Sequence, residues 1–235
     1  MLMYETIKAY DGAVLRAARF DADVPATGVI QLIHGFGEGI GHYKDVANFF
    51  ASFGYACIIH EQRGYGYDCL LDDIKAVRTM VEKWYPQLPV FLYGHSMGGN
   101  IAINYLLKNP QKEYEKVIIG APWLRLYKPK LITTIAGLIG KILPGLVIPK
   151  WISFSLFKEI VDAGEYAINN AAKITLPTLL LCPGMDKIVC TVAIREFGKC
   201  AKDNVIMIEY PEGRHSLHLD TIRDRVLGDI IGFLW

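Results

Sequence analysis

The chain has few of the features that mark disulfide-rich and zinc-binding proteins. Its 235 residues include five cysteines, an odd number, and none has C-x-x-C spacing or a histidine at zinc-finger distance. Neither a disulfide framework nor a structural metal is therefore expected. Unpaired cysteines suit a reducing compartment, and no basic segment followed by an apolar one is visible at the N-terminus. The sequence predicts a cytoplasmic location.

An excess of charge and long hydrophobic runs are also lacking. Twenty-five Lys and Arg residues face 24 Asp and Glu residues, a formal net charge of +1, so no nucleic-acid partner is expected. The most apolar segment contains only the ten residues 131–140 without a charge before Lys141, whereas a membrane span needs roughly 20. With 52% hydrophobic residues, the chain has the length and composition of one domain with a large core.

Short apolar runs alternate with amphipathic segments along most of the chain. Six apolar runs predict strands: 28–33, 55–59, 89–93, 116–119, 178–182 and 205–209. Five segments with apolar residues three or four apart predict helices: 43–53, 68–84, 97–108, 192–201 and 219–234. Residues 4–20 alternate around Asp11-Gly12, which indicates an antiparallel hairpin. The predicted fold class is α/β, a mostly parallel twisted sheet with helices on both faces.

One segment interrupts this alternation. Residues 123–172 are apolar and helical in places but contain Pro144 and Pro149. We interpret them as a helical cap inserted between two parts of an α/β core, residues 1–122 and 173–235. A pair of ordinary core helices is the alternative interpretation.

The strongest chemical motif is G-x-S-x-G at residues 94–98, with Ser96 at its centre. The motif follows an apolar strand and opens a predicted helix, so it can place the serine on a tight strand-to-helix turn. A serine hydroxyl becomes a nucleophile only when a base accepts its proton. The context therefore predicts that Ser96 is a nucleophile rather than part of an ordinary glycine-rich turn.

The orienting acid and the histidine base are expected to follow the serine along the chain, in the order serine, acid, histidine. Only His215 and His218 follow Ser96; His215 lies in a loop after a strand, whereas His218 falls where the last helix is predicted to begin. Asp186 follows the strand at 178–182, which places it at the same sheet edge. Asp203 and Asp220 compete for the acid role, but we expect them at helix ends. The sequence thus predicts a Ser96, Asp186 and His215 triad.

An oxyanion needs two backbone N–H donors. One is expected from Met97, which follows the nucleophile, and the other from Phe36 in the glycine-flanked loop after the strand at 28–33. His34 in the same loop is a further candidate for a catalytic role. It is more simply explained as a residue that fixes the loop by hydrogen bonding.

The chain resembles the monoacylglycerol lipase and lysophospholipase group of α/β-hydrolases. Four motifs carry the resemblance: H-G-F-G-E at 34–38, G-H-S-M-G at 94–98, G-M-D-K-I-V at 184–189 and E-G-R-H at 212–215. Residues 162–165 and 172–177 also resemble the end of that group's cap. The resemblance implies the same triad and the same oxyanion amides, and cleavage of single-chain acyl esters.

Two positions depart from that group's pattern. The chain passes from Gly66 directly to Tyr67, where the group has a longer loop, and the cap is short between Phe157 and Lys158. We interpret both junctions as sites of mobile loops. A short cap would leave the acyl site more open.

The sequence favours a serine ester hydrolase that forms an acyl-enzyme and needs neither cofactor nor metal. The expected partner is a small acyl ester, with transient contact between the apolar cap and a membrane surface. Residues predicted to bind the acyl chain are Leu124, Leu138, Ile139, Leu143 and Val147. A serine aminopeptidase is one alternative, with Glu38, Glu61, Asp162 and Glu165 as candidates for an acidic pocket. A catalytically silent binding protein is the other.

Overall fold

The computed structural model describes residues 1–127 and 153–235. In these residues eight strands form one sheet, in the order β1-β2-β4-β3-β5-β6-β7-β8. The strands are β1 (Leu2–Lys8), β2 (Val14–Phe20), β3 (Gly28–Ile33), β4 (Tyr55–His60), β5 (Val90–His95), β6 (Val117–Gly120), β7 (Thr178–Pro183) and β8 (Val205–Tyr210).

The N-terminal hairpin is the antiparallel part of the sheet. β1 pairs with β2 from Leu2 opposite Phe20 to Lys8 opposite Val14, and β2 pairs antiparallel with β4. Gly12 takes a φ of 88° at the turn, a conformation that glycine adopts without a steric penalty. The other neighbouring strand pairs are parallel. The predicted fold class is confirmed.

Helices connect the parallel strands. The described residues contain α1 (Lys44–Ser52), α2 (Tyr67–Trp84), α3 (Met97–Lys108), α4 (Phe154–Asn169), α5 (Thr191–Ala201) and α6 (Arg223–Leu234). None of the helices in these residues is long and apolar enough to cross a membrane.

The central strands of the sheet are buried on both faces because helices pack on each side, and successive side chains of a strand point to opposite sides. In β5, Val90 and Leu92 pack in the cluster formed with α2, α3, α4 and α5, whereas Phe91 and Tyr93 pack in the cluster formed with α1 and α6. This arrangement explains why the parallel strands have continuous apolar runs.

The last helix differs from its prediction. It begins at Arg223 rather than residue 219, and Leu217–Leu219 form a separate 3-10 turn. Asp220 holds this region by accepting from the backbone N–H of Arg214 (2.7 Å) and of Thr221 (2.6 Å). His218, expected at a helix start, is instead fully buried on the 3-10 turn.

Both junctions interpreted as loop sites are continuous. α2 begins at Tyr67, directly after Gly66 with its φ of 68°, and α4 runs through Phe157 and Lys158 without interruption. The described residues contain no loop at either junction, and the mobile loops stay a prediction. Of the predicted cap, 123–172, residues 128–152 lie outside the described residues, so the domain boundaries stay a prediction.

Candidate active site

Ser96 occupies a strained turn between β5 and α3. Its φ is 54° and its ψ is −116°, values that a residue with a side chain rarely adopts. The glycines around it permit the turn: a Cβ on Gly98 would lie 2.1 Å from the carbonyl oxygen of Ile33, and one on Gly94 would lie 2.5 Å from that of Gly98. The motif therefore projects the serine from the carboxyl edge of the sheet.

Three side chains from separate loops meet at this edge. Ser96 Oγ lies 2.8 Å from His215 Nε2, and His215 Nδ1 lies 2.7 Å from Asp186 Oδ2. A neutral His215 that donates from Nδ1 to the carboxylate accepts the serine proton at Nε2. The structure thus brings together the three residues that the sequence nominated for a triad.

The Asp186 carboxylate is buried and held on both oxygens. While Oδ2 faces His215, Oδ1 accepts from the N–H groups of Ile188 (2.7 Å) and Val189 (2.9 Å). These backbone hydrogen bonds fix the direction of the carboxylate. Asp220, a competitor for the acid role, is occupied with Arg214 and Thr221.

The candidate oxyanion donors lie beside the nucleophile. Met97 is the first residue of α3, where backbone N–H groups have no acceptor within the helix. Phe36 borders the cavity that contains Ser96 and His215, and Phe36 and Met97 together border a second, smaller cavity. Their backbone N–H groups are therefore the candidate donors to a carbonyl bound at Ser96.

A cavity of about 310 Å³ opens onto the triad. Its lining includes Ser96 and His215 beside a mainly apolar wall. The apolar wall residues are Phe36, Trp123, Leu126, Phe157 and Ile188. The rings of Trp123 and Phe157 pack edge to face at 5.6 Å between centroids. The cavity can therefore surround an apolar substituent on a carbonyl held at Ser96.

Leu124, one of the residues predicted to bind an acyl chain, does not line the cavity. Leu124 is buried beneath α4, and the cavity lining instead includes its neighbours Trp123 and Leu126. A Cβ on Gly164 would lie 2.1 Å from the Leu124 carbonyl oxygen, so this part of the backbone is covered. The other four, Leu138, Ile139, Leu143 and Val147, lie outside the described residues.

His34 has the loop-fixing contacts that were expected of it. Its Nδ1 donates to the Gly35 carbonyl (2.8 Å), and its Nε2 accepts from the Gln62 N–H (3.0 Å). Burial lowers the pKa of His34, which keeps the ring neutral and able to accept. The ring therefore holds the loop that carries Phe36.

Two further histidines are buried behind His215: His218, which was expected at a helix start, and His95, to which the sequence motif assigned no role. The rings of His95 and His215 lie 5.0 Å apart, and those of His95 and His218 lie 4.5 Å apart, between centroids. Burial lowers the pKa of His95 well below its usual value and that of His218 to about 3. Both are therefore neutral near pH 7, so the site next to His215 carries no fixed imidazolium charge.

Glu38 is a partly buried acceptor in the same region. Its Oε2 accepts from the Gly35 N–H (2.7 Å) and the Tyr43 hydroxyl (2.9 Å). Its Oε1 lies 3.7 Å from His95 Nε2 and 3.9 Å from His218 Nε2. The H-G-F-G-E motif thus fixes its own first turn through the side chain of its last residue.

The four acidic residues considered for an amine-binding pocket do not meet at one place, although Glu38 and Glu61 both line the smaller cavity bordered by Phe36 and Met97. Glu38 is held as described, and Glu61 accepts from the Ile40 N–H at 3.1 Å. Asp162 pairs with Lys158 on an exposed face of α4, and Glu165 pairs with Arg125. Within the part of the chain that the structure describes, no group of three His, Cys, Asp or Glu side chains is arranged to hold a metal ion.

Comparisons with known proteins agree with this geometry. The model of the Hydrolase_4 family, described as serine aminopeptidase S33, matches residues 24–153 and 145–222. A monoacylglycerol lipase of Mycolicibacterium smegmatis is 22% identical over 251 aligned residues, which cover 90% of this chain and 89% of that protein. A soluble variant of monoglyceride lipase from Saccharomyces cerevisiae, solved with a substrate analog, has a TM-score of 0.82 at 22% identity and covers 100% of this chain and 94% of its own.

Another relative is much longer than this chain. An uncharacterised abhydrolase domain-containing protein of Dictyostelium discoideum is 26% identical over 226 residues, which are 80% of this chain and 24% of that protein. The chain therefore spans about a quarter of that relative and most of the mycobacterial one. Because the family model matches well over half of the residues, and the fold and motifs agree with it, this chain belongs to the Hydrolase_4 family and is a serine hydrolase with the α/β-hydrolase fold.

Proposed function

We propose that the protein hydrolyses monoacylglycerols, lysophospholipids or similar single-chain acyl esters through an acyl-enzyme on Ser96. The observation that carries the proposal is the pair of hydrogen bonds that link Ser96 to His215 and His215 to Asp186. Ser96 and His215 line a cavity with an apolar wall. The named activities of the mycobacterial and yeast relatives support the same substrate class.

The proposed mechanism follows from the proton positions. Ser96 Oγ attacks the ester carbonyl while its proton passes to His215 Nε2, and Asp186 stabilises the imidazolium that forms. The N–H groups of Phe36 and Met97 donate to the oxyanion. His215 then gives its proton to the departing alcohol, which leaves the acyl group on Ser96. Water deprotonated by His215 releases the fatty acid by the same steps.

The peptidase alternative has weaker support, although the family description names an aminopeptidase. An aminopeptidase needs acidic side chains in its pocket that face the positively charged amino terminus of the substrate. Of the four acidic candidates only Glu38 borders the cavity that holds Ser96, and it already accepts from Gly35 and Tyr43. The other wall residues beside Ser96 are mainly apolar, which favours an acyl chain.

Hydrolysis of a 1-monoacylglycerol series and of an aminoacyl amide tests the proposal, with the wild type and Ser96→Ala compared. We expect ester turnover that rises with chain length and falls by at least 1000-fold in the variant, as loss of a triad nucleophile does. Turnover of the amide alone would replace the proposal with a peptidase. Absence of serine-dependent turnover would leave a binding protein with a hydrolase fold.

We also propose that the region 123–172 contacts membrane surfaces transiently. Support comes from the loop that Leu126 of this region joins through a bridge to Val189: the Met185 and Ile188 side chains of that loop are exposed, and Ile188 lines the cavity. Flotation of the purified protein with neutral phosphatidylcholine vesicles is the test. Recovery of all the protein in the unbound fraction would contradict the proposal.

A cytoplasmic location is proposed as well, supported by five free cysteines.

A further inference from the structure

Asn100 is a fully buried asparagine at the end of the first turn of α3. Its Nδ2 donates to the carbonyl oxygens of Trp123 (2.7 Å) and Ile160 (3.0 Å), and its Oδ1 accepts from the Tyr67 hydroxyl (2.6 Å). Both amide hydrogens and the carbonyl oxygen are therefore used. A buried amide satisfied in this way fixes the position of its partners. It ties three segments to the helix that begins directly after the nucleophile.

α4 is seated closely on this asparagine. Asn104, one turn further along α3, donates from Nδ2 to the Ala163 carbonyl at 3.1 Å. A Cβ on Gly164 would lie 2.1 Å from the carbonyl oxygen of Leu124, so α4 touches backbone there. The approach leaves α4 little freedom to shift while these hydrogen bonds hold.

The segments held by Asn100 carry the aromatic wall of the cavity. The Trp123 carbonyl accepts from Asn100, and the Trp123 N–H donates to the Ser96 carbonyl at 2.9 Å. Phe157 lies one turn before Ile160 on α4. Both rings line the cavity that contains Ser96. Asn100 is therefore one of the buried groups that fix the distance from the nucleophile to the two rings.

We propose that Asn100 is a positioning residue that sets the selectivity for acyl-chain length. It acts by holding Trp123 and α4 at fixed places relative to Ser96, without contact with the substrate. The inference rests on the proposed function, because it assumes that the acyl chain lies along this wall. Loss of the Asn100 amide releases two carbonyl oxygens, and the wall moves away from the chain.

The test compares hydrolysis of p-nitrophenyl acetate and p-nitrophenyl dodecanoate by the wild type and Asn100→Ala. We expect kcat/KM for the dodecanoate to fall at least fivefold relative to that for the acetate. The change should come from a higher KM for the long ester, with kcat for the acetate within about twofold of wild type. Substitution of a residue needed only for folding would lower kcat/KM for both esters by the same factor.

Gln31→Ala is the matched control. Gln31 is another fully buried amide; it donates to the Ile74 carbonyl (3.0 Å) and accepts from the Tyr114 hydroxyl (2.9 Å), and it lines neither cavity beside the oxyanion loop. We expect this control to lower the melting temperature. It should leave the ratio of kcat/KM for the dodecanoate to kcat/KM for the acetate unchanged. A ratio unchanged in Asn100→Ala as well would overturn the inference.

Two milder variants keep the inference testable if Asn100→Ala does not fold. Tyr67→Phe removes the hydroxyl that donates to Asn100, and Asn104→Ala removes the bond to Ala163. Each should shift the ratio in the same direction by at least twofold, and no shift in either would overturn the inference. Failure of the wild type to hydrolyse either ester would instead refute the proposed function.

Discussion

At the scale of single residues, the site depends on groups whose direction is fixed by neighbours. Asp186 faces His215 with one oxygen because the N–H groups of Ile188 and Val189 hold the other. The sequence predicted the three triad residues because their chain order and their positions after strands follow from local pattern. It did not predict Asn100, whose partner Ile160 lies 60 residues away. Polar residues at 100 and 104 in an apolar helix were the available signal.

Substitution of the acid tests the role of that fixed direction. In Asp186→Asn the amide cannot accept from the His215 Nδ1–H through its nitrogen, so the ring loses the tautomer that the mechanism requires. We expect kcat on a monoacyl ester to fall roughly 1000- to 10000-fold while KM changes little. Steady-state kinetics measure this change. A loss below tenfold would show that another carboxylate orients His215.

The buried His218 predicts a dependence of stability on pH. Burial, reinforced by His95, lowers the pKa of His218 from 6.5 to about 3. Below pH 6.5 the unfolded chain takes up a proton at this histidine while the folded chain does not. The folded state therefore loses stability relative to the unfolded state as the pH falls below 6.5, and no such loss occurs above it. In His218→Gln the stability difference between pH 7 and pH 4.5 should shrink by about 2 kcal/mol.

Chemical denaturation at the two pH values measures that difference, and each protein is compared with itself so that lost ring packing cancels. His42→Gln is the control, because His42 is exposed. An equal change of stability with pH in wild type and His218→Gln would contradict the burial argument.

At the scale of elements, a helix requires glycine where it lies against the backbone of another segment. A Cβ on Gly164 of α4 would meet the Leu124 carbonyl, whereas one on Gly228 of α6 would meet nothing within 4 Å. Periodicity predicted the strands and most helices because it depends on local burial. It placed the start of α6 too early, because the contacts of Asp220 with Arg214 and Thr221 keep residues 217–222 outside the helix.

The two glycines give opposite predictions. Gly228→Ala should raise the free energy of unfolding by about 0.5 to 1 kcal/mol, because alanine has the higher helix propensity. Gly164→Ala should lower it by about 1 to 3 kcal/mol, because α4 must move away from Leu124. Thermal unfolding of both variants is the measurement. Equal effects in the two helices would show that α4 does not touch this backbone.

At the scale of the whole molecule, the sheet gathers residues distant in sequence at its carboxyl edge. Ser96 follows β5, Asp186 follows β7 and His215 follows β8, so parallel pairing of these strands and of β6 places the three side chains within hydrogen-bonding reach. Alternation of strands and helices predicted this edge. It could not predict which side chains form the wall beside Ser96, since Phe157 and Ile188 meet there only after the chain has folded.

Detection of an acyl group on Ser96 tests the central claim most directly. The wild type and Ser96→Ala would be mixed with p-nitrophenyl dodecanoate, quenched with acid within the first turnover and digested for peptide mass spectrometry. We predict a dodecanoyl group on the peptide that contains Ser96 in the wild type and no adduct on that peptide in the variant. Turnover of the ester without any adduct on Ser96, or an equal rate in Ser96→Ala, would contradict the claim.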